Sequence, residues 1–267
     1  MADRSMDLET AALLRDPLTR DPLELVREAD QPFLLNPHLG RRFPIRDGIP
    51  VFVKLGELEG RNRQFRKLYD RVAIFYDVQS HIYAFLFGQN LRALRSGFLA
   101  ELEFRPGDRV LEVSVGTAWN LRLLPPEIDF YGLDLSWGML AKARRNLRCW
   151  KREARLFCGE GENLPFSDNC FDVVFQLGGL NFFNDKGRAI REMVRVARPG
   201  TRLLISDENE KQIRALYRKI PILGRRLWHH REGLGPPLDL LPASVEQPTV
   251  RHHADARFYT LTFRKPL

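Results

Sequence analysis

At 267 residues, with 44% hydrophobic and 28% charged side chains, the chain can bury one large core plus a small appendage and is too apolar to be a disordered tail. Its 42 Lys and Arg against 34 Asp and Glu leave a net charge of +8, which favours acidic partners in general but is spread along the chain and selects none. The longest stretches without a charged side chain, Val78–Leu91 and Val173–Asn184, fall short of the roughly 20 apolar residues of a membrane span, so no integral membrane contact is expected. The N-terminus MADRSMDLET has no apolar stretch for a secretory signal, and Cys149, Cys158 and Cys170 are too few for a disulfide framework. A reducing cytoplasm is the expected compartment.

In chain order, residues 1–56 are broken by turn signals at Asp16-Pro17, Asp21-Pro22, Gln31-Pro32, Asn36-Pro37 and Asp47-Gly48-Ile49-Pro50. These leave room for short strands and one brief helix near Pro22–Ala29. From Gly60 to about Ala100, Phe65, Leu68, Tyr69, Val72, Phe75 and Tyr76 recur at three- and four-residue steps, predicting helices with an aromatic face, and the run Ile82–Phe87 follows. Beyond Pro106-Gly107, strand-like RVLEV (109–113), FYGLDL (130–135), ARLFC (154–158), FDVVFQL (171–177) and RLLIS (202–206) alternate with helix-like Asn120–Leu124, Ser136–Lys151 and Asp185–Ala197. That alternation predicts repeated βαβ units and a mainly parallel sheet. Ser136 is the expected N-cap of the second of these helices, with Met139, Leu140, Ala143 and Leu147 on its apolar face. Arg257–Phe263 alternates with period two and predicts a late strand at the sheet edge.

Three segments gather at the carboxyl ends of these strands. The first is a turn of small residues, Glu112-Val113-Ser114-Val115-Gly116-Thr117-Ala118-Trp119-Asn120, which admits a ligand close to the backbone ahead of free helix N–H groups. Asp134 follows 22 positions after Glu112, at the end of the second strand, where doubly wound folds accept hydrogen bonds from ribose hydroxyls. A strand-end acid without a ligand is the plainer alternative. The second segment, Cys158-Gly159-Glu160-Gly161-Glu162-Asn163, leaves the third strand with acids and backbone N–H groups suited to adenine. The third, Gln176-Leu177-Gly178-Gly179-Leu180-Asn181, leaves the fourth strand with glycines that again admit a ligand.

Through VLEVSVGTAWNL, YGLDLSWGMLAKAR, GEGENLPFSDNCFDVVF and FFNDKGRAIREMVRVARPGTRLLISDE, residues 62–206 resemble class I S-adenosylmethionine-dependent methyltransferases, in particular those similar to ubiquinone/menaquinone-biosynthesis enzymes. The resemblance implies an α/β, Rossmann-like doubly wound sheet of seven strands with the last strand antiparallel, and S-adenosylmethionine as cofactor with S-adenosylhomocysteine as product. It implies cofactor contacts from the roof residues Tyr69 and Tyr76 and from Glu112, Ser114, Val115, Gly116, Thr117 and Asn120 of the turn. Asp134, Leu135 and Met139 follow, then Glu160, Gly161 and Glu162, then Gln176, Leu177 and Gly178. Two of the family's three alternating glycines are here Ser114 and Ala118, Glu160 stands where aspartate is common, and Gly161 stands where alanine is common. A positive φ at Ala118 carries a cost of ~1 kcal/mol.

Residues 13–53, through Arg41-Arg42-Phe43-Pro44-Ile45-Arg46-Asp47-Gly48-Ile49-Pro50-Val51, resemble a small zinc-ribbon module similar to the activator subunit of tRNA methyltransferases. Its two Cys-Pro-X-Cys knuckles read here as Asp16-Pro17-Leu18-Thr19 and Asn36-Pro37-His38-Leu39. With no thiolates, a metal-free ribbon held by packing is expected. The organisation expected is a degenerate, metal-free ribbon-like segment over 1–56 and a methyltransferase domain over 57–267, with a helical cap at 60–104 and a lid or substrate region at 207–248.

A general base is needed only if the acceptor holds its proton, and the candidates are Tyr76, His81, Tyr83, Asn181 and His229. The pairs His229-His230 and His252-His253 point in different directions on any regular element and are read as surface or lid residues, not metal ligands. The basic run from Lys211 to Arg231 is read as a solvated lid face, and the lack of a dense basic patch disfavours nucleic acid. The expected function is methyl transfer to a small, partly hydrophobic metabolite, with the acceptor atom open and a homo-oligomer compatible. The alternative is a cofactor-binding protein that no longer methylates, a partner subunit or an enzyme such as a cyclase on the same fold.

Overall fold

The computed structural model describes residues 6–28, 31–53, 58–73, 76, 90–210 and 234–267. Helix α1 (Leu8–Leu13) starts at Asp7, whose carboxylate accepts a hydrogen bond from Thr10 N at 2.6 Å, as an N-cap should. Four antiparallel strands follow in sequential order, β1 (Glu24–Glu28), β2 (Gln31–Asn36), β3 (Arg41–Arg46) and β4 (Ile49–Pro50). The helix expected near Pro22–Ala29 is strand β1 through Glu28, with Leu25 and Val26 paired to Leu34 and Phe33. The pairing across the hairpin, invisible in the local pattern, decides the conformation.

The two segments compared above with metal knuckles converge on one buried polar knot. Asn36 Nδ2 donates to Asp16 Oδ2 (3.0 Å), Thr19 Oγ1 (3.3 Å) and Asp21 Oδ2 (3.1 Å), while Asn36 Oδ1 accepts from the backbone N–H groups of His38 and Leu39. Arg41 pairs with the fully buried Asp16 at 3.1 Å. Three of the four positions that the resemblance matches to knuckle cysteines thus share one hydrogen-bond network, so this segment is held by more than the packing expected of it. Among the described residues no group of three or more His, Cys, Asp or Glu side chains is placed to hold a metal. Asn36→Ala, which strands several buried partners, is expected to cost about 2 kcal/mol or more in denaturant unfolding. Prolonged EDTA treatment of the wild type should leave the midpoint unchanged, and a chelator-induced fall would show that a metal ties the knot.

The main sheet has seven strands in the order β10-β11-β9-β8-β5-β6-β7, formed by β5 (Arg109–Val113), β6 (Asp129–Asp134), β7 (Arg155–Cys158), β8 (Val173–Leu177), β9 (Arg202–Glu208), β10 (Glu246–His253) and β11 (Phe258–Arg264). Strands β5 to β9 run parallel, and β11 is antiparallel to both neighbours. The reversed strand is therefore one place in from the edge where it was expected. The edge is β10, whose mostly exposed EQPTVRHH reads as loop because only one of its sides meets the sheet.

Helices α2 (Gly60–Val72), α3 (Leu91–Leu99), α4 (Trp137–Trp150) and α5 (Lys186–Val196) accompany the sheet. Ser136 caps α4 by accepting from Met139 N at 3.2 Å, and Met139, Leu140, Ala143 and Leu147 are buried. The helix expected at Asn120–Leu124 is a single 3₁₀ stretch, Trp119–Leu123.

Two apolar clusters form the core. Leu14, Leu34, Phe43 and Phe52 of the N-terminal segment belong to the same cluster as Tyr131, Phe157 and Phe166 of the main sheet, so the two parts share one interior. The N-terminal segment also docks through its backbone on the outer edge of the sheet. Val51 bridges to Cys158, Phe52 N donates to Cys158 O at 2.8 Å, Arg15 N donates to Pro165 O at 3.0 Å, and Ser167 N donates to Leu13 O at 2.8 Å. It thereby buttresses the loop that leaves β7.

Candidate active site

The carboxyl ends of β5 to β8 open on a cleft of about 440 Å³, where open α/β sheets place ligands. Of the residues expected at a cofactor, Tyr69, Tyr76, Ser114, Gly116, Asp134 and Leu135 line it, as do Met139, Glu160, Gly161, Glu162, Leu177 and Gly178. Glu112, Val115, Thr117, Asn120 and Gln176 are buried behind the turn and are not among the lining residues.

The turn after β5 is left-handed at all three alternating positions, with φ of 63° at Ser114, 56° at Gly116 and 60° at Ala118. Ala118 therefore carries the strain expected of it, about 1 kcal/mol, against which its fully buried methyl group returns about 0.8 kcal/mol. Asp134 fastens the turn to the next strand. Its Oδ2 accepts from Gly116 N and its Oδ1 from Ser136 N, each at 2.8 Å. Burial pushes its carboxyl up to about 6, against the pull of those two N–H groups.

Glu112 lies below, fully buried. Its Oε1 accepts from Asn120 Nδ2 at 2.5 Å, Asn120 Oδ1 accepts from Arg95 Nη1 at 3.1 Å, and its Oε2 has no hydrogen-bond partner among the described residues. Burial raises this carboxyl to about 8, so it is neutral at pH 7. The Arg95 guanidinium, 5.1 Å over the Trp119 ring, lines the cleft beside the turn.

Beyond β7, Glu160 Oε1 and Glu162 Oε1 accept from Asn62 Nδ2 at 2.8 and 3.2 Å, and Glu162 Oε1 also accepts from Asn184 N at 2.8 Å. A Cβ at Gly161 would stand 2.7 Å from Cε2 of Phe183, which explains why alanine, common here in the resembled family, is absent. Gly161→Ala is expected to destabilise the chain by about 1–3 kcal/mol through overpacking. Adding Phe183→Leu should restore most of the loss in thermal unfolding, and a double variant as unstable as the single one would place the strain elsewhere.

The roof comes from α2 and the residues after β8. Phe65 and Phe182 are 4.3 Å apart between ring centroids, Tyr69 meets Phe182 edge-on at 5.6 Å, and Tyr76 meets Tyr69 at 6.0 Å. Asp70 locks α2 to the start of α4 by accepting from Ser136 Oγ (2.6 Å) and Gly138 N (2.9 Å). Asn181, a base candidate, is buried; its amide donates to Glu208 O and accepts from Lys186 Nζ, and it does not line the cleft. That disqualifies it as a base. His81, Tyr83 and His229 lie outside the described residues, as does the run Lys211–Arg231.

Sequence reasoning missed Arg66, Arg95, Phe98 and Phe258, which complete the cleft walls. The spacing Leu91, Leu94, Arg95 and Phe98 is a helical stripe that a closer reading of periodicity would expose. Phe258 has no comparable local signal.

A family model described as a methyltransferase domain matches residues 111–205. A demethylmenaquinone methyltransferase of Corynebacterium urealyticum is 33% identical over 151 residues, covering 56% of this chain and 62% of that protein. The chain thus matches less than two thirds of that relative's length. Among solved structures, the cyclase SpnF superposes with a TM-score of 0.60 at 18% identity, covering 83% of this chain and all of its own, and a methyltransferase candidate of Bacillus halodurans C-125 with 0.54 at 16% identity, covering 65% and 99%. At those identities the structural likeness concerns the fold alone. Strand order, reversed strand and matched motifs agree with the match over residues 111–205, where the chain is similar to a methyltransferase domain.

Proposed function

We propose that this protein transfers the methyl group of S-adenosylmethionine to a small, largely apolar acceptor and releases S-adenosylhomocysteine. One observation carries the reading. A single cleft joins a small-residue turn and the half-buried Asp134 carboxylate to an aromatic chamber formed by Phe65, Tyr69, Tyr76, Phe98, Phe182 and Phe258. The cleft has room for the cofactor, since a Cβ at Gly116 or Gly178 would meet nothing within 4 Å.

In this reading Asp134 accepts hydrogen bonds from the ribose hydroxyls, Glu160 and Gly161 face the adenine, and Arg95 suits the carboxylate of the methionine part. When bound, the cofactor supplies a methyl group already activated on a sulfonium, so the chain has chiefly to align the acceptor and exclude water. The aromatic roof does both. Of the base candidates within the described residues, Tyr76 lines the cleft, which supports a proton-moving role for it should the acceptor hold a proton at neutral pH. The name of the Corynebacterium urealyticum relative supports a quinone-like acceptor.

The second reading, a cofactor-binding protein that does not methylate, draws on Ser114 and Ala118, which hold left-handed backbone where the resembled family has glycine. Calorimetry with S-adenosylmethionine, followed by methyl transfer to a panel of naphthols and hydroquinones, tests both. No binding at about 1 mM would remove both readings. Binding with transfer supports the first, and binding without transfer across the panel supports the second.

A further inference from the structure

A second cavity, of about 330 Å³, lies between the N-terminal sheet and the outer edge of the main sheet. Among the described residues four arginines, Arg41, Arg42, Arg46 and Arg66, line it against one carboxylate, Glu160. Two of them are already paired, Arg41 with Asp16 at 3.1 Å and Arg42 with Glu28 at 2.9 Å. The other two are less fully engaged. Arg46 is exposed and makes no ion pair among the described residues. The Arg66 side chain is only 10% exposed, makes a long ion pair with Asp70 Oδ2 at 3.8 Å, and among the described residues has no hydrogen-bond partner for Nε or Nη1. Buried guanidinium N–H groups without acceptors are costly and uncommon in a folded chain. Beside them Phe52, Val53 and Trp137 give the cavity an apolar wall.

We propose that this cavity binds a phosphate group carried on a small planar apolar body, an aryl phosphate in chemical class. Arginine forks match phosphate oxygens in pairs, and the Phe52 and Trp137 side chains offer ring surface to the organic part. The volume lies within the range of small-molecule pockets. Arg66 and Glu160 also line the cofactor cleft, so the two ligands would sit side by side and each would alter the affinity of the other by the same factor. The site itself is independent of whether the neighbouring cleft transfers methyl groups.

The test uses the full-length protein at constant ionic strength, titrated with phenyl phosphate and with inorganic phosphate and read by tryptophan fluorescence. Both should bind saturably, phenyl phosphate about tenfold more tightly, and Arg46→Gln should weaken both about tenfold without changing the melting temperature. Arg46→Lys should recover part of the loss, and Trp137→Leu should abolish the preference for the aryl compound. Saturating S-adenosylhomocysteine should shift the phosphate affinity without abolishing binding; should S-adenosylhomocysteine itself fail to bind, the anion titration still decides the matter. Responses that do not saturate, or that Arg46→Gln leaves unchanged, would overturn the site. Full competition by S-adenosylhomocysteine would do so too, because the anion would then sit in the cofactor cleft.

Discussion

Glu112→Gln is expected to leave stability unchanged near pH 4.5 and to raise it by about 2–4 kcal/mol at pH 8.5, measured by chemical denaturation across that range. The reason is the burial of this carboxyl beneath the turn, with Oε2 unpartnered and only Asn120 donating to it. Its folded value is raised from 4.5 to about 8, so the native state holds a proton that the unfolded chain releases. Stability from that proton is fully present below pH 4.5 and is lost as pH rises toward 8. Glutamine keeps an oxygen for Asn120 to donate to and has nothing to ionise, so the variant's stability should be flat where the wild type declines. Parallel pH profiles for the two proteins would mean that Glu112 is ionised in the fold, with Arg95 reaching it through Asn120 strongly enough to overcome burial.

The strands that were legible in the sequence are those whose burial is symmetrical. Strands β5, β6, β8 and β9 are apolar on both faces because helices cover the parallel sheet, so a short apolar run announces each. Strands β1 and β10 carry their register in a partner, and their own residues read as polar or helical. The site divides the same way. Ser114, Gly116 and Asp134 stand out because a turn and a strand-end acid keep a fixed spacing within one βαβ unit. Arg95, Phe98 and Phe258 join the cleft across more than 160 residues of chain, a proximity that only the finished topology creates. The polar knot at Asn36 belongs to both classes. Its positions are given by the resemblance to a metal knuckle, but that asparagine and aspartates bind each other there follows from side-chain geometry alone.

Asp134→Asn should weaken S-adenosylmethionine binding by about 30- to 100-fold while changing folding stability by no more than about 1–2 kcal/mol, as read by calorimetry and by denaturant unfolding. The two readouts separate because opposing effects meet at this side chain. Burial of the carboxylate costs stability at neutral pH, since its folded value is raised from 3.8 to about 6. Asparagine removes that cost but turns an amide N–H toward Gly116 N or Ser136 N, each of which now donates to a carboxylate oxygen at 2.8 Å. For folding the two changes largely offset. For the cofactor they do not, because ribose hydroxyls would lose a charged acceptor and meet a turn whose anchor has been cut. The wild type carries its own check. Its affinity should be constant above about pH 7 and fall as pH drops through 6, since the charged carboxylate accepts at both oxygens and more strongly than the protonated acid, whereas the asparagine variant should show no such fall. A variant that binds within threefold of the wild type, or a wild-type affinity flat from pH 5 to 8, would move the ribose away from Asp134 and leave this carboxylate as a brace for the turn.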